Sequence, residues 1–298
     1  MKTFSNLVRR NLKVFFKDKG LFFSSLITPI ILLVLYVTFL AKAYLDSFSS
    51  NLPSTFQISD ELLNGTVAAQ LISALLAVSC VTVSFCANLL MIQDKANSTI
   101  KDFTVSPVKN SVIAISYYVS SALSTLIVTF SALAVSLVYL STQGWYMSAK
   151  DVILIIVDVF VLTLFGTAFS SFINSFLSTN GQASAVGTIV SAGYGFLCGA
   201  YMPISSYSEG LQKVLMFLPG TYGTCLIKRH MMRGIFEEME NIGFPSEVVT
   251  NICDGIDFNI YFFDTQITVP AMYLVMGGAV LAFTGLFVLV NVMKKKAK

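Results

Sequence analysis

The chain has 298 residues, of which 55% are apolar and only 12% are charged, where an ordinary soluble domain carries roughly a quarter charged residues. The charges fall in short clusters separated by apolar runs of about 20 residues, the length that spans a bilayer core of roughly 30 Å. One soluble core could not bury all these runs, and a single histidine with five scattered cysteines excludes a zinc site of ordinary spacing.

Six runs predict six transmembrane helices, at 21–40, 67–92, 112–140, 152–172, 183–201 and 269–293. The whole chain, 1–298, reads as one all-α membrane domain. The first run follows a long basic segment and exits through Leu40–Tyr44 into a polar loop, which argues against a cleaved signal peptide; Ala41 and Ala43 leave an Ala-x-Ala-like cleavage reading open. Lys2, Arg9, Arg10, Lys13, Lys17 and Lys19, then Lys95, Lys101 and Lys109, then Lys294, Lys295, Lys296 and Lys298 fall on one side of a six-helix chain. The alternate segments are acidic on balance. The positive-inside rule therefore predicts a multi-pass protein of the cytoplasmic membrane with both termini in the cytoplasm. The net charge of +3 follows from this topology and does not point to nucleic acid.

Residues 1–19 predict an amphipathic helix. At 100° per residue, Phe4, Leu7, Val8, Leu12, Val14, Phe15 and Phe16 share one arc, with Asn11 as its exception. Lys2, Asn6, Arg9, Arg10, Lys13 and Lys17 share the opposite arc. Such a helix is expected to lie flat on membrane lipid, aromatic side inward and cations at the phosphates; a basic flank without a fixed helix is the alternative. Gly20 is the expected turn into the first span. An outer connector, 42–65, follows the first span and contains Pro53.

The cytoplasmic segment 94–107 holds Asp94, Lys95, Ser98, Ile100, Lys101, Asp102, Phe103 and Pro107. Asn97 or Ser98 can cap a short helix, Ile100 and Phe103 share one face, and Pro107 ends it. Two apolar knobs on a short capped helix suit docking into a soluble partner, with the neighbouring charges at the rim; a solvated connector is the alternative. The links 141–151 and 174–182 predict a short outer turn and a tight inner hairpin.

Between the fifth and sixth runs, residues 204–266 predict an extracytoplasmic segment. Met202-Pro203 breaks the helix, Leu211, Val214, Leu215 and Leu218 recur at helical spacing, and Pro219-Gly220 precedes a mixed stretch, Tyr222–Met232. These pieces suit an outer re-entrant or amphipathic helical hairpin, followed by a polar, acidic loop over 234–264. Cys225 and Cys253 leave a disulfide open, and Cys80, Cys86 and Cys198 read as packing residues. Asp158, about two turns into the fourth span, is costly at bilayer depth and so a functional candidate. The plainer expectation is a dispensable residue near the outer interface, hydrated or bonded to a neighbouring Ser or Tyr. His230 alone predicts neither a metal site nor a catalytic triad.

The stretch Leu197-Cys198-Gly199-Ala200-Tyr201-Met202-Pro203-Ile204, then Leu211-Gln212-Lys213-Val214, Leu218-Pro219-Gly220-Thr221-Tyr222, Arg229 and Gly234 resembles the type-2 ATP-binding-cassette permease family of drug, lipid and polysaccharide exporters. The resemblance covers nearly the whole chain. The departures are Leu218 where the family often has Asn, Cys198 where it often has Ser, and a longer outer segment, 235–266, which weakens a polysaccharide assignment. What the resemblance implies is an exporter permease for an amphipathic drug, lipid or peptide-like substrate, working as a homodimer or with a close homologue. A separate cytoplasmic ATPase subunit would carry ATP and Mg, since no G-x-x-x-x-G-K-[ST] occurs in the chain, which leaves it without cofactor or catalysis of its own. By the same resemblance 94–107 would be the coupling helix and 1–19 the gate helix, with Phe4, Arg9, Arg10, Lys13, Phe15 and Lys17 as its working residues. Gly199, Pro203, Leu211, Leu215, Leu218, Pro219 and Tyr222 would form the dimer-facing outer hairpin, and the substrate path would run between spans one, two and five. The rival readings are a polysaccharide or lipid-linked glycan exporter, an ion-coupled secondary transporter, a membrane-embedded enzyme and a non-transporting immunity or binding protein. The second predicts repeats and midplane charges that the chain lacks apart from Asp158. The third needs a polar cluster in the spans, and the last stays open.

Overall fold

The computed structural model describes residues 2–36, 38, 41–42, 58–104 and 108–296, with the backbone alone at 101, 102, 104 and 294–296. The chain forms eleven described α-helices: α1 Lys2–Lys17, α2 Lys19–Leu35, α3 Asp60–Ala96, α4 Thr99–Thr104, α5 Asn110–Gln143, α6 Ala149–Ser175, α7 Asn180–Leu197, α8 Glu209–Leu215, α9 Pro219–Asn241, α10 Ser246–Gly255 and α11 Val269–Lys296. A 3-10 turn at Ile204–Ser206 precedes α8. A two-stranded hairpin, β1 Tyr261–Phe262 with β2 Thr265–Gln266, pairs Tyr261 with Gln266 and Phe262 with Thr265 ahead of α11. Most of the connector 42–65, Pro53 included, lies outside the described residues.

Among the described residues four helices, α3, α5, α6 and α11, are long and apolar enough to cross a membrane, or five if α1 and α2 count as one broken span. Two of the six expected spans do not qualify on their own among the described residues. The described part of α2 is short and qualifies only together with α1, from which it departs by 72°. α7 has the length, but Asn180, Gln182, Ser184, Thr188 and Ser191 dilute its apolar character. The break between α1 and α2 sits at Asp18, not Gly20: Asp18 Oδ1 accepts from the Leu21 amide at 3.2 Å and caps α2.

α3 is the hub. It packs against α2, α5, α6, α7 and α9, and it is buried along most of its length. Ser59 caps it by accepting from the Leu62 amide, and Asp60 and Glu61 complement its positive end. At 1.5 Å per residue its 37 residues reach about 55 Å, well beyond an apolar core of about 30 Å. Its last turn therefore carries Asp94 and Lys95 in regular helix, where the sequence predicted a loop.

Small and hydroxylated side chains let α6 approach α3. A Cβ on Gly166 would lie 2.8 Å from the Cys80 carbonyl. Below that contact Ser84 Oγ and Thr167 Oγ1 are 3.2 Å apart, Asn88 Nδ2 donates to Ser170 Oγ at 2.5 Å, and Ser171 Oγ donates to Asn88 Oδ1 at 3.2 Å. Where lipid supplies no hydrophobic drive between helices, close packing and such bonds hold them together. Two capping boxes start the following helices: Ser148 with Asp151 at α6 and Thr179 with Gln182 at α7.

The segment 204–266 is more ordered than predicted. The stretch read as a short amphipathic piece, Tyr222–Met232, is the centre of the 23-residue α9, and the expected acidic loop contains α10 and the β hairpin. α9 runs antiparallel along the first half of α6. Gly223 faces Leu162, His230 faces Asp158, Arg233 faces Asp151, and the place of a Cβ on Gly234 is filled by the Tyr146 carbonyl.

Candidate functional site

Three features carry the chemistry of the chain. The first is a cavity of about 760 Å³ between α2, α3 and α7. Its walls are Leu32, Leu71, Phe85 and other apolar groups set with the hydroxyls of Ser24, Thr28, Thr188, Ser191 and Tyr201 and the amide of Gln70. None of the described residues lining it is charged. Gln70 Oε1 is buried there without a hydrogen-bond partner among the described residues, so an acceptor is free to meet a donor. The volume is within the usual range for small-molecule sites, about 300–1,000 Å³.

The second feature is a knot at the end of α3. Arg10 of α1 makes a two-pronged ion pair with Asp94, with Nη2 to Oδ1 at 2.9 Å and Nη1 on Oδ2. The Tyr117 hydroxyl of α5 donates to the same Oδ2 at 2.5 Å, and the Arg10 guanidinium lies 5.6 Å from the centre of the Phe103 ring of α4. Next to it, Lys95 Nζ donates to the carbonyls of Asn174, Ser175 and Leu177 at 2.9–3.2 Å, satisfying the carbonyls that α6 leaves open at its end.

This knot corrects several expectations for 94–107. Asp94 is buried and Lys95 half-buried, so neither is a rim charge. The short helix exists as α4, and exposed Ser98 enters it at φ 63°, a left-handed turn out of α3. Its two knobs do not project freely. Phe103 is half-buried against the cluster around Phe15, Leu90 and Tyr117, and Ile100 lines a small cleft with Met91, Ile113 and Asn291. The side chains of Lys101 and Asp102, and Pro107 entirely, lie outside the described residues.

The predicted gate helix is α1. Val8, Asn11 and Phe15 form its buried seam, and α1 packs on α5, α2 and α3. The apolar arc thus meets protein, with the exceptional Asn11 at its centre accepting from Arg10 at 3.1 Å. Phe4 is half-buried, Phe16 is exposed, and Arg9, Lys13 and Lys17 keep an outward face.

The third feature is the unit formed by residues 199–266, the part predicted to be outer. Lys228 of α9 is fully buried. Its Nζ donates to the carbonyls of Ile256 at 2.5 Å and Gly199 at 3.3 Å and lies 3.9 Å from Asp257 Oδ2. Burial pulls this ammonium below the ordinary lysine range, and Asp257 works against that shift. Asp257, at φ 60°, accepts from the amides of Ile204 at 2.6 Å and Ser205 at 3.1 Å. Gly199, at φ +74°, sits where a Cβ would lie 2.8 Å from that carboxylate.

Gly199, Leu215 and Tyr222 are accordingly buried inside this one chain, with the Tyr222 hydroxyl donating to the Met216 carbonyl at 2.7 Å. They pack within the chain's own fold. Pro203, Leu218 and Pro219 are half-buried, Pro219 as the first residue of α9, and Leu211 is exposed. The apolar groups that point outward most here are Val214, part of the helical repeat read from the sequence, and Phe217, which that reading did not single out; they are 60% and 66% exposed.

Along α9 the expectations for Asp158 and His230 change as well. Asp158 is 2% exposed, with His230 Nδ1 2.5 Å from Oδ2 and the Tyr273 hydroxyl of α11 donating to Oδ1 at 2.5 Å. It is bonded to a neighbouring tyrosine, one of the two arrangements expected, and it is buried. Two turns toward the start of α6, Arg233 Nε pairs with Asp151 Oδ1 at 2.8 Å. Cys225 and Cys253 are both free and buried, so the disulfide left open is not formed. Burial pushes both thiols up to about 12, which keeps them protonated and inert. No local signal in the sequence announced the partners of Asp158 and Lys228, which lie 72 and 29 positions away.

No curated protein matches the chain in sequence. The chain thus combines a broken amphipathic helix at the N-terminus, a long apolar helix that ends in a short one, and a mostly apolar cavity with no charged group among its described lining residues. The model of the ABC-2 type transporter family matches residues 2–227, and the chain belongs to that family.

Proposed function

We propose that the chain is the membrane subunit of an exporter that moves an uncharged or weakly charged amphipathic molecule, such as a drug, lipid or peptide, outward across the cytoplasmic membrane. Membership of the family makes it a multi-pass membrane component of a transporter, itself without catalysis, that works with an ABC ATPase. The finer reading rests on the cavity between α2, α3 and α7. Scattered hydroxyls among apolar walls, with no charge, suit a ligand that is greasy over most of its surface and polar at a few points. A cation or a highly charged glycan would lose its hydration there without repayment from opposite charge.

In this reading two copies face one another across α7 and the outer unit, with Val214 and Phe217 as the contact, and α4 receives the motion of the ATPase. Both termini lie in the cytoplasm and 237–264 lies outside. A cysteine at position 247 should then react with an impermeant reagent in intact cells, while one at 296 stays protected.

The direct test is to fill the cavity. A Cβ on Gly187 would meet nothing within 4 Å, so Gly187→Trp can add bulk there without disturbing the bundle. Transport of a fluorescent amphiphile and its stimulation of ATP hydrolysis should fall at least tenfold, while the permease and ATPase still copurify. Transport that persists with the tryptophan in place refutes this path. Tight capture of a ligand without any translocation would favour a binding or immunity role.

A further inference from the structure

We propose that Gln70 is the polar anchor of the cavity between α2, α3 and α7, and that it selects neutral ligands whose polar group carries a hydrogen-bond donor, with a secondary amide as the best match. This role rests on the cavity being the ligand path proposed above. Gln70 stands in the α3 wall of the cavity and is only 6% exposed. Its Oε1 is enclosed and meets no donor among the described residues. Of the described lining residues it alone has such an atom. The Thr188 hydroxyl, by contrast, donates to the Ser184 carbonyl at 2.9 Å, and the Cys86 thiol lies 3.9 Å from the Ser24 carbonyl.

Packing does not account for an amide at this place. A methionine has nearly the same length and no group that needs a partner, whereas an amide left unpaired among apolar walls is a standing cost. Leu71 and Ala74, the next lining residues along α3, are apolar. A buried polar atom that the fold leaves unpaired is explained when a molecule entering the cavity supplies the partner.

The chemistry of that partner follows from what surrounds Oε1. A carbonyl oxygen accepts and cannot donate, so the partner brings an N–H or an O–H. An ionised carboxylate has no proton to give. An ammonium has, but the described lining residues include no acid to offset its charge. A bare acyl chain fills the walls and leaves the oxygen unmet. A neutral amide or hydroxyl on an apolar body meets both conditions. The amide is favoured because Gln70 Nε2 can donate back to its carbonyl, pairing the two groups at two points. Along α3 the lining runs from Gln70 to Leu89, about 28 Å at 1.5 Å per residue. The anchor therefore stands at one end of a long site, and the apolar body extends away from it.

The test uses the permease in lipid nanodiscs and two probes, a pyrene-labelled N-hexyl amide and its N-methyl analogue, which lacks the amide N–H. Binding is read from pyrene fluorescence against empty nanodiscs. The wild type should bind the secondary amide about tenfold more tightly than the analogue. Gln70→Met should erase this preference by weakening the secondary amide alone. Its melting temperature without probe should hold or rise, because no bond within the fold is lost. Gly187→Trp, which fills the cavity, should weaken both probes together. If Gly187→Trp leaves both probes bound as before, the cavity is not the ligand path, and the role of Gln70 falls with it. If Gly187→Trp weakens both while Gln70→Met keeps the wild-type preference, the path stands and Gln70 is not its anchor. A wild type that does not prefer the secondary amide overturns the assignment. A fall in melting temperature for Gln70→Met overturns it too, since it would reveal a partner within the fold.

Discussion

The two ends of the bundle bury charge in different ways. At the α3 terminus, Arg10 meets Asp94 with a third of its own side chain still exposed, whereas Lys228 in the outer unit is fully enclosed. Both sites tie elements together through an acid that takes several donors. The first can be hydrated as it opens, so breaking it costs little more than the bonds lost. The second cannot, so its partners must stay in place. A half-wet ion pair suits a joint between the broken N-terminal helix and the short helix α4; a dry one suits a brace between α9, the turn after α7 and the end of α10. Surface-like and buried pairs differ in this way generally.

Breaking the brace should have the largest effect. Asp257→Ala strands a buried ammonium and frees the amides of Ile204 and Ser205, and it should cost about 3–5 kcal/mol in equilibrium unfolding. Lys228→Met removes the charge along with its need for a partner and leaves Asp257 on two amides, so it should cost clearly less. Equal losses in the two variants would show that the charge pair does not govern the outer unit.

The joint should yield more gently. Arg10→Ala should cost about 1–2 kcal/mol, below the range for a fully buried pair because water screens the exposed guanidinium. Its larger effect should be on coupling, with stimulation of ATP hydrolysis lost before the fold is. Arg10→Lys should not rescue it, since an ammonium cannot reproduce the two-pronged bond. A rescue by lysine would reduce the joint to simple charge attraction.

Phe103 sharpens the same contrast by dividing one side chain between two roles. If its exposed half fills a pocket on the ATPase, Phe103→Ala should weaken copurification by about tenfold, close to 1.4 kcal/mol, while the half packed near Phe15 and Leu90 should cost the isolated permease about 1 kcal/mol. A loss confined to the permease's own stability would make α4 part of the bundle rather than its transmission point. The control is Phe263→Ala, at an exposed aromatic away from α4.

The sequence by itself determined the apolar spans at 67–92, 112–140, 152–172 and 269–293, the amphipathic segment before them and the short helix at the end of α3, because chain-local length, periodicity and capping residues report on how a segment meets lipid or water. It also determined the family, through the run from Leu197 to Tyr222, although the reason for Gly199 became visible only beside Asp257. Tertiary structure alone decided that Asn11 and Arg10 turn toward Asp94, that α9 is one long helix lying along α6, and that Asp158, His230 and Tyr273 meet. The Arg10–Asp94, Asp158–His230 and Asp158–Tyr273 contacts join residues 84, 72 and 115 positions apart. A polar residue in an apolar sequence reveals that it needs a partner, but which distant group satisfies it is fixed only when the helices have packed and closed the site to water.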